Sequence, residues 1–195
     1  MSKRKVQEVS AFLLHAKAWS ETSCIATLFS RDYGLLAGIA KGAKRPYSMM
    51  RPILSHFQPL LVSWSGQGEV KTFTQADFEG FLALPAPAMK SAWYMNELVL
   101  RALPKEDPHP IVFDEYVFAL ESLCAGMNER SVLRRFEWHL LREIGYGAGD
   151  SPPDFYDLSS EPILRQQLRN LIAEHVIAKE FNTRKVFSER FISFS

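Results

Sequence analysis

Residues 83–90, ALPAPAMK, set two prolines between two stretches of chain whose apolar residues repeat with different periods. Upstream, apolar residues alternate or gather in short runs bounded by Gly, Ser and Asp, the pattern of strands. Downstream they recur every three or four positions, the pattern of helices. Strands first and helices second make an α+β chain of two domains, residues 1–78 and 79–195. The charge divides with them. The chain carries only +1 overall, yet residues 1–75 hold 10 Lys/Arg against 4 Asp/Glu, net +6, while residues 76–195 hold 13 against 18, net −5. Such asymmetry suits the first domain to a polyanion such as nucleic acid.

In the first domain VSAFLLHAKAW alternates, which predicts Phe12, Leu14, Ala16 and Ala18 on an apolar face and Leu13, His15, Lys17 and Trp19 on a mixed one. CIATLFS, the turn RDYG and LLAGIAKG read as a hairpin, because Gly34 can take the positive φ of a tight turn. HFQPLLVSW, SGQG and EVKTFTQ read as a second hairpin turning at Gly66 and Gly68. Five short strands in so small a domain favour a closed barrel over a sandwich, since closure hides the edges. Between the hairpins, GIAKGAKRPYSMMRP carries Lys41, Lys44, Arg45 and Arg51, and its Pro46 and Pro52 exclude a regular helix. The expectation is a strand that runs out into a mobile, solvated loop.

In the second domain Met89, Ala92, Trp93, Leu100 and Leu103 fall at helical spacing, as do Val112, Tyr116, Leu120 and Leu123. Pro104, Pro108 and Pro110 separate these two helices. A third runs through SVLRRFEWHLLREI and stops at Gly145; a fourth, EPILRQQLRNLIAEHVIA, starts behind Ser160 as its cap. The second domain is therefore expected to be a helical bundle.

Signatures of catalysis are missing from this sequence: HExxH, GxSxG and GxxxxGK[ST] do not occur, and His15, His56, His109, His139 and His175 are scattered. Cys24 and Cys124 stand far apart and form no CxxC, so neither a zinc site nor a disulfide is expected, and no cofactor is. The sequence has no apolar run of membrane-spanning length and no secretory signal in MSKRKVQEVS, which places the expected protein in the cytoplasm, away from membranes.

Binding is better marked. A single-stranded nucleic acid needs cations for its phosphates and aromatic faces for its bases. Lys17 with Trp19, and Lys41, Lys44, Arg45 and Arg51 with Tyr47, supply both. Trp19 has a second reading as a cover for the barrel end, and the loop cations as inert solubilising charge. On the third helix Val132, Leu133, Phe136, Leu140 and Ile144 make the apolar face, which leaves Arg135, Trp138, His139 and Arg142 on the far side, with Arg134 one turn before Trp138. An aromatic framed by arginines suits an acidic peptide with an apolar anchor; alternatively, Trp138 packs under the C-terminal helix.

The ordered set AFLLHAKAWSETS, IAKGAKRP, FQPLLVSWSGQGEVKTFTQAD, YMNELVLRALPKEDPHPIVFDEY and LRRFEWHLLREIGYG resembles the RecO family, bacterial recombination mediators of the RecF pathway. The resemblance covers most of residues 9 to 147. It implies an N-terminal OB-fold barrel followed by a helical domain, and binding and annealing of single-stranded and duplex DNA without catalysis, on the nucleoid. It also implies partnership with RecR, with the acidic C-terminal tail of the single-stranded-DNA-binding protein, and the loading of RecA. The family's DNA-contacting cations fall here on Lys41, Lys44 and Arg45, and Arg134 matches a position associated with the tail pocket.

The sequence departs from the family where only AGDSPPDFYDLSSEP joins Gly147 to the last helix, in place of a subdomain that in some relatives carries four zinc-binding cysteines. The closing ILRQQLRNLIAEHV and KVFSERF still resemble the family's last helix and tail. Two rivals to a DNA-binding mediator remain at this point. One is an adaptor that holds protein partners without effective DNA binding; the other is a nucleic-acid enzyme with a site assembled only in space.

Overall fold

The structure, a computed structural model, describes residues 5–147 and 151–177. Five strands close into a barrel: β1 (Lys5–Ala18), β2 (Cys24–Ser30), β3 (Gly34–Ala40), β4 (Leu60–Ser65) and β5 (Val70–Phe78). Their order around the barrel is β1-β2-β3-β5-β4, with β4 returning to β1 and β3 parallel to β5. Both expected hairpins form, β2 with β3 and β4 with β5. The first turns through Gly34 at φ 64, where a Cβ would strike the Asp107 carbonyl oxygen, so the turn also admits a loop of the second domain.

The faces of β1 are inverted relative to the expectation from alternation. Ala11 and Leu13 point into the barrel with Ala26, Leu28, Leu36, Leu60, Val62, Trp64 and Phe73, whereas Phe12 and Leu14 point out. The register slips between Leu13 and His15, so beyond this bulge Ala16 inherits the inner face. The outward Phe12 and Leu14 are nonetheless buried, because the second domain covers them. Hydrophobic residues on both faces of one strand are the mark of a strand between two layers.

That second domain is four helices: α1 (Met89–Ala102), α2 (Pro110–Cys124), α3 (Glu129–Glu143) and α4 (Glu161–Ile172). Pro110 opens α2, at a position where its missing N–H is not needed. Asn128 caps α3 by accepting from the N–H groups of Arg130 and Ser131. At the other end Gly145, φ 87, donates to the Arg142 carbonyl and Tyr146 to that of Leu141, which stops the helix at the expected glycine. Ser160 does not cap α4 as expected; its hydroxyl donates to the Asp157 carbonyl instead. The expected fourth helix also loosens from Ala173 to Ile177 into a wider π-turn, and the tail KVFSERF lies outside the described residues.

The two domains share one core. Phe12 and Phe29 pack edge-on or tilted against Phe113 and Tyr116 of α2, with centroids 5.3 to 6.0 Å apart. Asn96 of α1 donates to the Leu14 carbonyl at the β1 bulge and accepts from the Tyr116 hydroxyl at 2.6 Å, satisfying a backbone group that the bulge withdraws from the ladder. Around the rim, the Glu106 N–H donates to the Leu35 carbonyl and the Glu106 carboxylate meets the Lys71 ammonium at 2.8 Å. Arg31 grips Asp114 through two bonds of 2.8 and 2.9 Å.

Candidate nucleic-acid interface

Cross-strand pairing divides the outer face of β1, β2 and β3 into three rows. Phe12, Phe29 and Leu35 form the first, under the helices; His15, Thr27 and Ala37 the second; Lys17, Ile25 and Ile39 the third. Only the first row is sealed. The third lies at the open end, where Lys17 stands exposed beside the half-buried side chains of Ile25 and Ile39.

Beyond that end two loops meet. Trp19, Ser20, Thr22 and Ser23 of the β1–β2 loop and Ile39, Lys41, Gly42 and Arg45 of the segment after β3 line an open groove of about 370 Å³. The loops are sewn together. Ser23 Oγ accepts from the Gly42 N–H, the Lys44 N–H donates to the Thr22 carbonyl at 2.9 Å, and Lys44 Nζ reaches the Ser20 carbonyl. Trp19 is 62% exposed and does not seal the barrel end. An indole and two cations therefore face one solvent-filled groove, the pairing that stacking on bases and neutralising phosphates requires.

The loop of residues 41–50 is not the free excursion expected from its glycines and prolines. Ala43 and Met50 are buried in the barrel core, and between them the Arg45 N–H donates to the Gly42 carbonyl and the Ser48 N–H to that of Arg45. Arg51 then opens a short 3₁₀ turn to Leu54 that buries Ile53. Between the two anchors Lys44, Arg45, Pro46, Tyr47 and Met49 are held out in solvent. Tyr47 and Arg51 do not line the groove; Tyr47 stands at the loop's tip and Arg51 at its base, both exposed. Burial pushes the Cys24 thiol up, and the nearby Lys44 charge opposes that shift without cancelling it. Ser20, Thr22 and Ser23 also belong to the groove; neither strand period nor charge marks them, and only their place in the SETS turn next to Trp19 signals it.

On the third helix the expected far side is largely interior. Trp138 is 1% exposed: the segment leading into α4 lays Phe155 over it, ring centroids 6.1 Å apart, and Arg142 puts its guanidinium 5.1 Å from the indole. Arg134, 6% exposed, donates two bonds of 2.7 Å to Glu137 and one of 3.0 Å to Glu161 at the start of α4. Tyr94 donates to the same Glu137 carboxylate, and burial with that carboxylate drives the Tyr94 hydroxyl pKa up. Arg135 is paired in turn with Glu115 at 2.7 Å, leaving Arg142 the exposed cation of the four residues expected there. The local period could not show this, because what covers Trp138 and Arg134 is 17 to 27 residues further along the chain.

Comparison with known proteins bears on both domains. Residues 1–81 match the model of the recombination protein O N-terminal domain and residues 88–148 that of its C-terminal domain. The DNA repair protein RecO of Cupriavidus pinatubonensis is 48% identical over 146 residues, 74% of this chain and 50% of that protein. Those of Azoarcus sp. and Aromatoleum aromaticum are 46% identical over 74% and 75% of this chain, and 60% and 62% of their own lengths. The chain thus spans half to three-fifths of these relatives.

Proposed function

Because the chain belongs to the RecO family, both of whose domain models it matches, we propose that it is a non-catalytic mediator of recombinational DNA repair. It binds single-stranded and duplex DNA through the barrel and anneals complementary strands. With RecR it helps load RecA onto DNA covered by the single-stranded-DNA-binding protein, working on the nucleoid in the cytoplasm. The observation that carries this reading is the groove in which Trp19, Lys41 and Arg45 meet beside the open Lys17 row. Its cations neutralise phosphates and its indole stacks on a base, neither of which needs a nucleotide or a metal.

For the acidic tail of the single-stranded-DNA-binding protein, the receiving surface is the outer edge of α3 at the exposed Arg142, beside Arg135 already paired to Glu115. Arg134 holds α4 in place through Glu161 and acts on the tail only through that scaffold. The test of the whole reading is annealing of complementary oligonucleotides by the purified chain in the presence of chelator and without nucleotide. Annealing well above the spontaneous rate is expected. A chain that binds RecR or the tail but leaves annealing at the spontaneous rate would be an adaptor, and the mediator reading would be wrong.

A further inference from the structure

Two large apolar side chains stand at the tip of the cationic loop, and nothing among the described residues buries them. Tyr47 is 99% exposed and Met49 81%, with Pro46 between Arg45 and Tyr47 also in solvent. They are held out firmly. Ala43 and Met50 anchor the loop in the barrel core on either side, the Ser48 N–H donates to the Arg45 carbonyl, the Met50 N–H to Ser48 Oγ, and the Arg51 N–H to the Ser48 carbonyl. Tyr47 takes φ 61, a conformation unfavourable for an aromatic residue, so the fold holds this ring outward against its own preference. Lys44 and Arg45 precede the tip in the chain, Lys41 opens the loop and Arg51 stands at its base, all four exposed, and residues 38–52 contain no carboxylate at all.

We propose that Tyr47 and Met49 form a wedge that enters a stacked base step of duplex DNA and unstacks it while the surrounding cations hold the flanking phosphates; the proposal rests on the DNA-binding reading above. Charge complementarity selects the occupant. An apolar tip alone would suit a hydrophobic pocket of a protein, but an apolar tip on a loop whose sequence carries four cations and no carboxylate suits an apolar surface enclosed by phosphates, which is what a base step is. Anchoring supplies the rest, since a wedge must hold its shape when pushed between bases. The groove with Trp19 then has a distinct task, to take the base or strand that opening releases.

The experiment uses a duplex carrying 2-aminopurine at a flexible pyrimidine–purine step, titrated to saturation with the full chain, because that fluorophore brightens when it leaves the stack. Wild-type protein should raise the fluorescence severalfold. The variant Tyr47→Ser with Met49→Ser should bind the duplex within about threefold of wild type and with the same salt slope, since it keeps every cation, yet leave the fluorescence at the free-duplex level. Tyr47→Phe should unstack as wild type does. An unaltered melting temperature for the double variant shows that the tip was removed and the fold kept. If the double variant brightens the duplex as wild type does, or if wild type binds without brightening it, the wedge is wrong and DNA binding stands. If wild type does not bind the duplex, the DNA-binding reading falls and the wedge with it. If the double variant keeps the fluorescence change but loses capture of RecR, the tip is a protein contact and the proposal is overturned.

Discussion

Each domain sets a tryptophan near an arginine, and the two pairs meet opposite fates. Trp19 and Arg45 line one open groove, and Arg45 stands on a stretch, residues 38–52, that holds four cations and no carboxylate. Trp138 and Arg134 stand one turn apart on α3, where Glu137, Glu161 and the Phe155 ring close over them. Residue type therefore does not separate a receptor from a girder; the anions in reach do. An arginine already bonded to two buried carboxylates has no donors to offer a ligand without uncovering them, whereas one that faces water gains by meeting a phosphate.

The most severe way to break this comparison is Arg134→Ala. It leaves Glu137 and Glu161 buried without their counter-charge, which costs about 3–5 kcal/mol. For a chain of 195 residues that corresponds to a melting temperature lower by roughly 10 °C. Arg45→Ala, an exposed change, should stay within about 0.5 kcal/mol of wild type. Thermal melts followed by circular dichroism compare the two directly. Equal melting temperatures would mean that the α3–α4 network holds nothing together, and that Arg134 is as available to a ligand as Arg45.

The same contrast explains what could be read from the chain and what could not. CIATLFS and the stop at Gly145 are written in local pattern, and both stand in the structure. So does the switch from strands to helices at the proline-punctuated ALPAPAMK, since period and turn chemistry are properties of neighbouring residues. The β1 faces were misread because one extra residue at the bulge changes parity, and no composition marks it. The interior position of Arg134 was hidden because arginine on a helix reads as solvated until a distant carboxylate, here Glu161, is folded against it. In the barrel, five of the seven residues expected to contact nucleic acid, Lys17, Trp19, Lys41, Lys44 and Arg45, come together around the groove or its open end. Their neighbourhood was legible because they flank alternate loops of a β1-β2-β3 meander, which return to the same end of the barrel.

The groove side of the comparison is sharpened by the triple variant Lys41→Ala, Lys44→Ala, Arg45→Ala. Losing three phosphate contacts should weaken single-strand binding by about 100-fold at ~0.1 M salt and flatten the slope of log K against log salt by about 2. Fluorescence anisotropy across a salt series reads both. A slope unchanged within error would return these cations to plain solubilising charge. Trp19→Ala should act differently, costing about 1–3 kcal/mol for the stacked base while leaving the salt slope as it was. A Trp19 variant that binds single strands like wild type would assign the indole no ligand.

The smallest expected effect tests the seam where the two regions join. His56 bridges to Leu13 of β1 and lays its ring 4.4 Å from Trp93 of α1, and burial pushes its pKa below the ordinary histidine value. His139, on the helical side, is lowered as well: burial is the main cause, Arg135 and Arg142 add to it, and Glu115 opposes. Both rings are thus kept neutral by the fold. An unfolded chain takes up protons at these positions first, so the stability they contribute is fully present above about pH 6.5 and is lost as the pH falls from there toward the folded values. Melting temperature should therefore decline from about pH 7 to pH 5, well above the range in which Asp157, held low by Ser159 and Ser160, takes up its proton. His56→Gln removes the contribution of the seam and His139→Gln that of the helical domain, so the variant that flattens the acid limb more identifies which region yields first. A limb unaltered by either substitution would place the acid sensitivity elsewhere, and a melting temperature flat across this window would show that neither ring is held neutral by the fold.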